Sequence, residues 1–360
     1  MPVTYDITHT THYQYVNPVE LNEHRVLFRP RDSHDVRVLA TDMIVTPPPA
    51  AIRLIQDSYS NSVALVQPQS PADELKVVCT FTVEHAGLSA VEFPLSPNAQ
   101  SYPFSYDAEE SLVLAHYMTP FYDDPDRRLL QWAQQFVEQD GAANPRELLV
   151  KMTAFIHRTM NYQVRYDEGV QTPHETLELQ SGACRDFATL MIEAIRHLGY
   201  AARFVSGYLY TPALDGGEDL YLGAGSTHAW LQAYLPGPGW ISLDPTNNLA
   251  GGSDLIPVGV ARHASLAPPV SGSWGGLPGE YKGMFVDVQV RKRADSPPAE
   301  QLMADQNAPM VQGMPLPMLA EAQDPPPPRQ GAQDTQDGSE PQDSSAPRQP
   351  ADAPREAAPA

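Results

Sequence analysis

Cysteine is scarce in these 360 residues: Cys79 and Cys184 are the only two. Two thiols cannot build a disulfide framework or a cysteine-rich zinc site. Basic residues are also short, 23 Lys and Arg against 44 Asp and Glu, for a formal charge of −21. So acidic a chain is a poor sequence-independent nucleic-acid binder, which needs a basic surface for phosphates. It is equally ill-suited to anionic lipid, so neither a nucleic-acid nor a membrane partner is expected. No apolar run approaches the roughly 18 residues of a membrane span. The opening Met1–Val16 segment lacks the basic and apolar regions of a secretory signal. HExxH and an acidic loop of calcium-binding spacing are missing too, so no metal and no cofactor is expected. Together these absences predict a reducing compartment and a cytoplasmic location.

Apolar residues, by contrast, make up 42% of the chain, enough to bury a sizeable core, and the length suits two domains. Proline is plentiful, 37 residues, and unevenly spread. Asp295–Ala360 holds 14 of them with 11 acids, three arginines and no aromatic residue. That segment has too little apolar surface to offset its ordering entropy, so residues 294–360 read as a disordered acidic tail. Met303, Met310, Met314, Met318 and Leu319 are apolar flecks in it that could serve a partner.

Residues 1–104 read as β-rich. Strands are expected at Tyr5–Tyr15, Arg25–Arg29, Val36–Val45 and Ser62–Val66. In Leu75–Val83 the residues Leu75, Val77, Cys79, Phe81 and Val83 share one face, a period of two that marks a half-buried strand. Cys79 is thereby expected to be an inert core thiol. His9 and His12 lie three apart on a strand and so point to opposite faces, which disfavours a shared metal.

From about residue 105 the pattern turns helical. Asp124-Pro125 and Asn144-Pro145 are start signals, a capping residue followed by proline. Leu129, Trp132, Ala133, Phe136 and Val137 form one apolar stripe, and Leu148, Leu149, Met152, Phe155, Ile156 and Met160 the next. A further helix opens at Cys184, with Phe187, Leu190, Met191, Ala194, Ile195 and Leu198 on its apolar stripe and Gly199 as terminator. Cys184 sits off that stripe in the first turn, where the positive dipole end and free N–H groups favour thiolate. Gly182 is expected to let the chain turn tightly into the helix.

His228–Leu235 alternates as a strand, and Trp240–Asn247 returns as a second. A His and an Asp on paired strands can form an oriented imidazole whose other nitrogen faces a thiol, the nucleophile–base–orienter arrangement of cysteine acyl transfer. A four-residue loop at Pro236–Gly239 would put Leu231 opposite Asp244, on the wrong face. An odd-length loop or bulge is therefore expected, with Trp230 opposite Asp244.

Gly182–Ala188, Arg203–Tyr208, His228-Ala229-Trp230 and Asp244–Asn247, in this order, resemble the transglutaminase-like superfamily. The match is with its bacterial branch, in which a β-rich N-terminal region precedes the core. The chain start, Asp57–Asn61, Pro268–Gly272 and Met284–Val290 look similar as well, so the resemblance spans most of residues 1–293. It implies an α+β protein with a papain-like core: a β-rich domain at 1–104, a catalytic core with closing strands at 105–293, then the tail. It implies Cys184 as nucleophile, His228 as general base and acid, and Asp244 as orienter, acting on an amide through a thioester acyl-enzyme. Water then gives hydrolysis and an amine gives cross-linking.

Two residues depart from the family pattern, Arg185 where glutamine is usual and Thr189 where histidine is, and both bear on substrate preference. Asp186, early in the helix, reads as a dipole partner or a cap for backbone N–H groups rather than a catalytic acid. The Cys184 N–H is the expected oxyanion donor, with Tyr162 or Gln180 as candidates for a second. The function implied is a cysteine-peptidase-type amide hydrolase acting on a peptide or protein. The alternative is a non-catalytic binding or assembly module on the same fold. Nothing in the sequence specifies an oligomeric state.

Overall fold

The structure, a computed structural model, describes residues 2–87, 90–137, 143–165, 169–217, 220–277 and 279–293. These fall in one unit bounded by Met1 and Asn307. The tail read from composition lies outside the described residues. In chain order the elements are β1 (Val3–Leu21), β2 (His24–Val26), β3 (Val36–Thr46), β4 (Ala51–Gln56), β5 (Ser62–Gln67) and β6 (Ala72–His85). Then come α1 (Ala108–Met118), α2 (Arg128–Gln134), α3 (Pro145–Thr159), β7 (Asn161–Tyr162), α4 (Pro173–Leu179), β8 (Ser181–Gly182) and α5 (Cys184–His197). The rest are β9 (Ala202–Leu209), β10 (His228–Leu235), β11 (Gly239–Asp244), β12 (Leu249–Ala250), β13 (Leu255–Ala261), β14 (Val270–Ser271), β15 (Trp274–Gly275) and β16 (Tyr281–Lys292).

Two sheets make the β-rich region. One runs β15-β1-β6-β3 with β16 also on β1, and the other runs β14-β2-β5-β4. The period of two in β6 is realised: Leu75, Val77, Cys79, Phe81 and Val83 are all buried. The strands that follow the core return to this region. β16 pairs along β1 from Tyr5↔Lys292 to Tyr15↔Tyr281, and β14 pairs with β2. His9 and His12 do part company. His9 is buried against the Tyr208 hydroxyl, while His12 pairs with Glu74 at 2.8 Å. β4 escapes the sequence reading because all six of its residues are exposed and carry no alternation. Its order comes from pairing with β5.

The core sheet, β12-β11-β10-β9-β13, is antiparallel throughout and packs on α5. Every α5 residue from Asp186 to Arg196 is buried, so the helix is enclosed on all sides rather than along a single stripe. Full burial of each large aliphatic side chain stabilises by about 1.5–3 kcal/mol. It also forces polar groups to pair. Glu193 and Arg196 form an ion pair at 2.5 Å; Glu193 accepts from the Phe121 and Tyr122 N–H groups, and Arg196 donates to the carbonyls of Tyr117, Ala202 and Arg262.

The β-rich region and the core are joined by specific bonds. The buried Asn61 amide donates to the Val260 carbonyl (2.8 Å) and accepts from the Val260 N–H (2.9 Å). Asp57 in turn holds the Tyr59 and Asn61 N–H groups. The Asp57–Asn61 motif is thus an anchor onto β13.

One start signal is corrected. α2 begins at Arg128, three residues after the expected Asp124-Pro125 start, and Arg127 precedes it in the left-handed conformation. The Asp124 carboxylate still caps it from a distance, accepting from the Leu129 and Leu130 N–H groups and from His174. The Asn144-Pro145 start holds, with the Asn144 side chain accepting from the Arg146 and Glu147 N–H groups.

Candidate active site

Cys184 is the first residue of α5 and is partly exposed. The residue before it, Ala183, has no side chain to cap the helix. Asp186 does this work: its buried carboxylate accepts from the Ala183 N–H (2.8 Å), the Gln171 N–H (2.8 Å) and the Arg165 guanidinium (2.8 and 2.9 Å). This corrects the reading of Gly182. Its φ is not positive, so it supplies no special turn. A Cβ there would lie 2.8 Å from Asp186 Cβ, and glycine is needed so that the capping carboxylate can fold back over the strand. Arg185 is engaged with backbone, Nε donating to the Gly169 carbonyl at 2.7 Å, and the Thr189 hydroxyl donates to the Arg185 carbonyl.

His228 opens β10 and Asp244 closes β11. The pairing runs from Leu231↔Leu243 to Leu235↔Gly239, leaving the three-residue loop Pro236–Pro238. The loop is of odd length, and continuing this register sets Trp230 opposite Asp244. The two side chains meet: His228 Nε2 lies 2.8 Å from Asp244 Oδ2, with both groups fully buried. Asp244 Oδ1 accepts from the Thr246 N–H and Oδ2 also accepts from Asn247 Nδ2, each at 2.9 Å.

Burial pushes the His228 pKa down, but the Asp244 charge, its hydrogen bond and the Cys184 thiol outweigh burial and raise it from 6.5 to about 10. Asp244 moves the opposite way. Burial alone would raise it, yet His228, Asn247 and the Thr246 N–H hold it below the usual carboxylate range. The two opposite shifts both favour the imidazolium–carboxylate form of the pair. His228 Nδ1 is buried without a hydrogen-bond partner, and the Cys184 thiol lies close enough to act on the ring. The three residues singled out in the sequence are thus brought together.

Tyr162, on β7 beside β8, faces the same space. Burial first, then the nearby Cys184 and Asp244, raise its pKa to about 12, so its hydroxyl keeps its proton. Gln180 is an exposed residue in the left-handed C-cap of α4. The sequence reading gave no role to Asn247, although it stands in the quoted Asp244–Asn247 motif, or to Gly223, which lies against His228. The second had no local signal. Among the described residues no group of three or more His, Cys, Asp or Glu is placed to hold a metal.

An antiparallel sheet on a buried helix with a thiol at its N-terminus, joined to a β-rich N-terminal region, is the α+β architecture of transglutaminase-like proteins. Residues 5–84 match the bacterial transglutaminase-like N-terminal region and residues 131–245 the transglutaminase-like superfamily, so the chain carries both of these domains. An uncharacterised protein of Mycobacterium tuberculosis is 28% identical over 278 residues, 74% of this chain and 86% of the relative. A protein-glutamine gamma-glutamyltransferase of Pseudomonas aeruginosa is 34% identical over 73 residues, but these are 20% of this chain and 11% of that protein. A solved structure of a candidate cysteine protease from Cytophaga hutchinsonii shares the fold, with TM-score 0.60 at 19% identity over 82% of this chain and 93% of that one. No helix among the described residues is long and apolar enough to cross a membrane.

Proposed function

We propose that the protein is a thiol-dependent amide hydrolase of cysteine-peptidase type, with Cys184, His228 and Asp244 as its catalytic triad. One observation carries this reading: the His228 ring is bonded to Asp244 through Nε2 at 2.8 Å while Nδ1 is left unpartnered beside the Cys184 thiol. An ion pair buried so completely costs several kcal/mol in desolvation, which is a poor investment for a surface that only binds. Cys184 Sγ, as thiolate, attacks the amide carbonyl carbon. The negative charge that develops on the carbonyl oxygen meets the Cys184 N–H, free in the first helical turn. The neutral Tyr162 hydroxyl is the second donor. His228 passes its Nδ1 proton to the departing amine, leaving a thioester on Cys184. Water, giving its proton to the same nitrogen as it attacks the thioester, then releases the acid and regenerates the thiolate beside the imidazolium; an amine in place of water gives transamidation.

The test is mass spectrometry of the protein after incubation with peptide pools. An acyl adduct on Cys184, absent from Cys184→Ala, is expected. Added methylamine separates the two outcomes, since a transamidase returns the methylamide. Absence of any adduct, together with a Cys184 no more reactive than free cysteine, would move the assignment to a binding module.

A further inference from the structure

Asn247 is bonded in a way that a turn residue after a strand does not require. Its Nδ2 donates to Asp244 Oδ2 at 2.9 Å, the same oxygen that holds His228 Nε2 at 2.8 Å. Its Oδ1 accepts from the Leu222 N–H at 2.7 Å, and Nδ2 donates again to the Leu222 carbonyl at 3.2 Å. These partners determine the orientation of the amide, because a flip would set its oxygen against a carboxylate and a carbonyl.

The next residue on the clamped segment is Gly223, with φ of +87°. A Cβ on it would lie 2.9 Å from His228 Nδ1 and 3.5 Å from the Tyr162 hydroxyl. The backbone of this loop therefore rests on the one nitrogen of the imidazole that has no partner. The far side of the loop is secured as well, by the Val288 N–H on the Gly225 carbonyl at 3.0 Å. The titratable groups acting on the ring are Asp244 from β11 and Cys184 from α5, and Trp230 stacks on it from β10 itself.

We infer that Asn247 is a positioning residue. Its amide ties the orienting carboxylate to the loop that covers His228 Nδ1, so that the carboxylate keeps its aim and water is kept off the nitrogen that serves the thiol. The inference rests on the cysteine-peptidase reading above. Without the clamp the carboxylate keeps only the Thr246 N–H and His228, the loop is held only at Gly225, and water gains access to compete with Sγ for Nδ1.

The experiment uses the full chain and follows carbamidomethylation of Cys184 by peptide mapping, from pH 4.5 to 8. In Asn247→Ala the rate at pH 6.5 is expected to fall about tenfold, the scale of losing a hydrogen bond to a charged group. Asn247→Asp sets a second carboxylate against Asp244. It should be slowed as much at neutral pH, with its ratio to wild type recovering towards pH 4.5, where one shared proton restores a donor. The same variants should lose hydrogen-exchange protection at the Leu222 amide. A purely structural role would lower the melting temperature and leave the rate ratio flat with pH, and a ratio within twofold of wild type at every pH overturns the inference. If Asn247→Ala fails to fold, the pH-dependent ratio of Asn247→Asp carries the test; if Asn247→Asp fails, the tenfold fall in Asn247→Ala together with an unchanged melting temperature does. A wild-type Cys184 that reacts no faster than free cysteine would overturn the underlying reading too; a fast wild type with unchanged variants overturns only the role of Asn247.

Discussion

His228 and the two cysteines show how position alone sets the chemistry of a side chain. Cys79 is wholly buried, and burial, followed by the charge of Asp42, pushes its pKa up to about 12. Cys184 is partly exposed and lies beside an imidazolium. Iodoacetamide near neutral pH should therefore remove one thiol quickly, with peptide mapping finding it at Cys184. His228→Ala should slow that reaction by roughly tenfold or more, as the thiol loses its cationic neighbour. Equal labelling of both cysteines would contradict the assignment. The same ion pair makes stability depend on pH. The folded His228 pKa is raised from 6.5 to about 10, so its contribution is complete below pH 6.5 and is lost as pH rises through about 10. Asp244 is lowered from 3.8, so its contribution is present above that value and is lost on further acidification. The difference in melting temperature between wild type and His228→Gln should accordingly be widest near pH 5–6 and shrink towards pH 10. A difference that grows on the alkaline side would refute the raised pKa.

At the scale of elements, the N-terminus of α5 depends on a cap that its own sequence position does not supply. Asp186 serves the Ala183 and Gln171 N–H groups and the Arg165 guanidinium from full burial. Removing one partner of such a buried pair costs about 3–5 kcal/mol. Asp186→Ala should therefore lower the melting temperature sharply and also slow Cys184 alkylation, because the turn that carries the thiol loses its anchor. Gly182→Ala should act in the same direction but less, about 1–3 kcal/mol for an overpacked contact. Thermal unfolding of the two variants checks the order; a Gly182→Ala protein as stable as wild type would mean that Asp186 does not press on this strand.

Across the whole molecule, the β-rich region and the core share the unit bounded by Met1 and Asn307. They are coupled through buried polar contacts as well as apolar ones: Asn61 with Val260, and the Tyr208 hydroxyl donating to the Phe28 carbonyl at 2.7 Å. Asn61→Ala would strand the Val260 N–H and carbonyl in the interior, at about 1–3 kcal/mol for each group left unpaired. A single unfolding transition at lower temperature is expected from calorimetry. Unchanged stability would show that the anchor contributes nothing to the joint.

Much of this protein was determined by local pattern. The period of two in β6 and the Asn144-Pro145 helix start follow from side-chain geometry over a few residues, and the odd loop between β10 and β11 follows once His228 and Asp244 are required to share a face. The order Cys184, His228, Asp244 is legible along the chain too, as residue types suited to the proposed chemistry. Other features were decided only by tertiary structure. β4 has no face to bury and exists through its partner strand; α2 starts late because Asp124 caps from three residues further back. Gly182 is glycine because of Asp186, Asn61 serves a strand 199 positions away, and Gly223 lies on His228 because Asn247 holds its neighbour. The physical reason is common to all of these. Hydrogen bonds and steric contacts between residues distant in sequence leave no periodicity along the chain, and become visible only when packing brings their partners together.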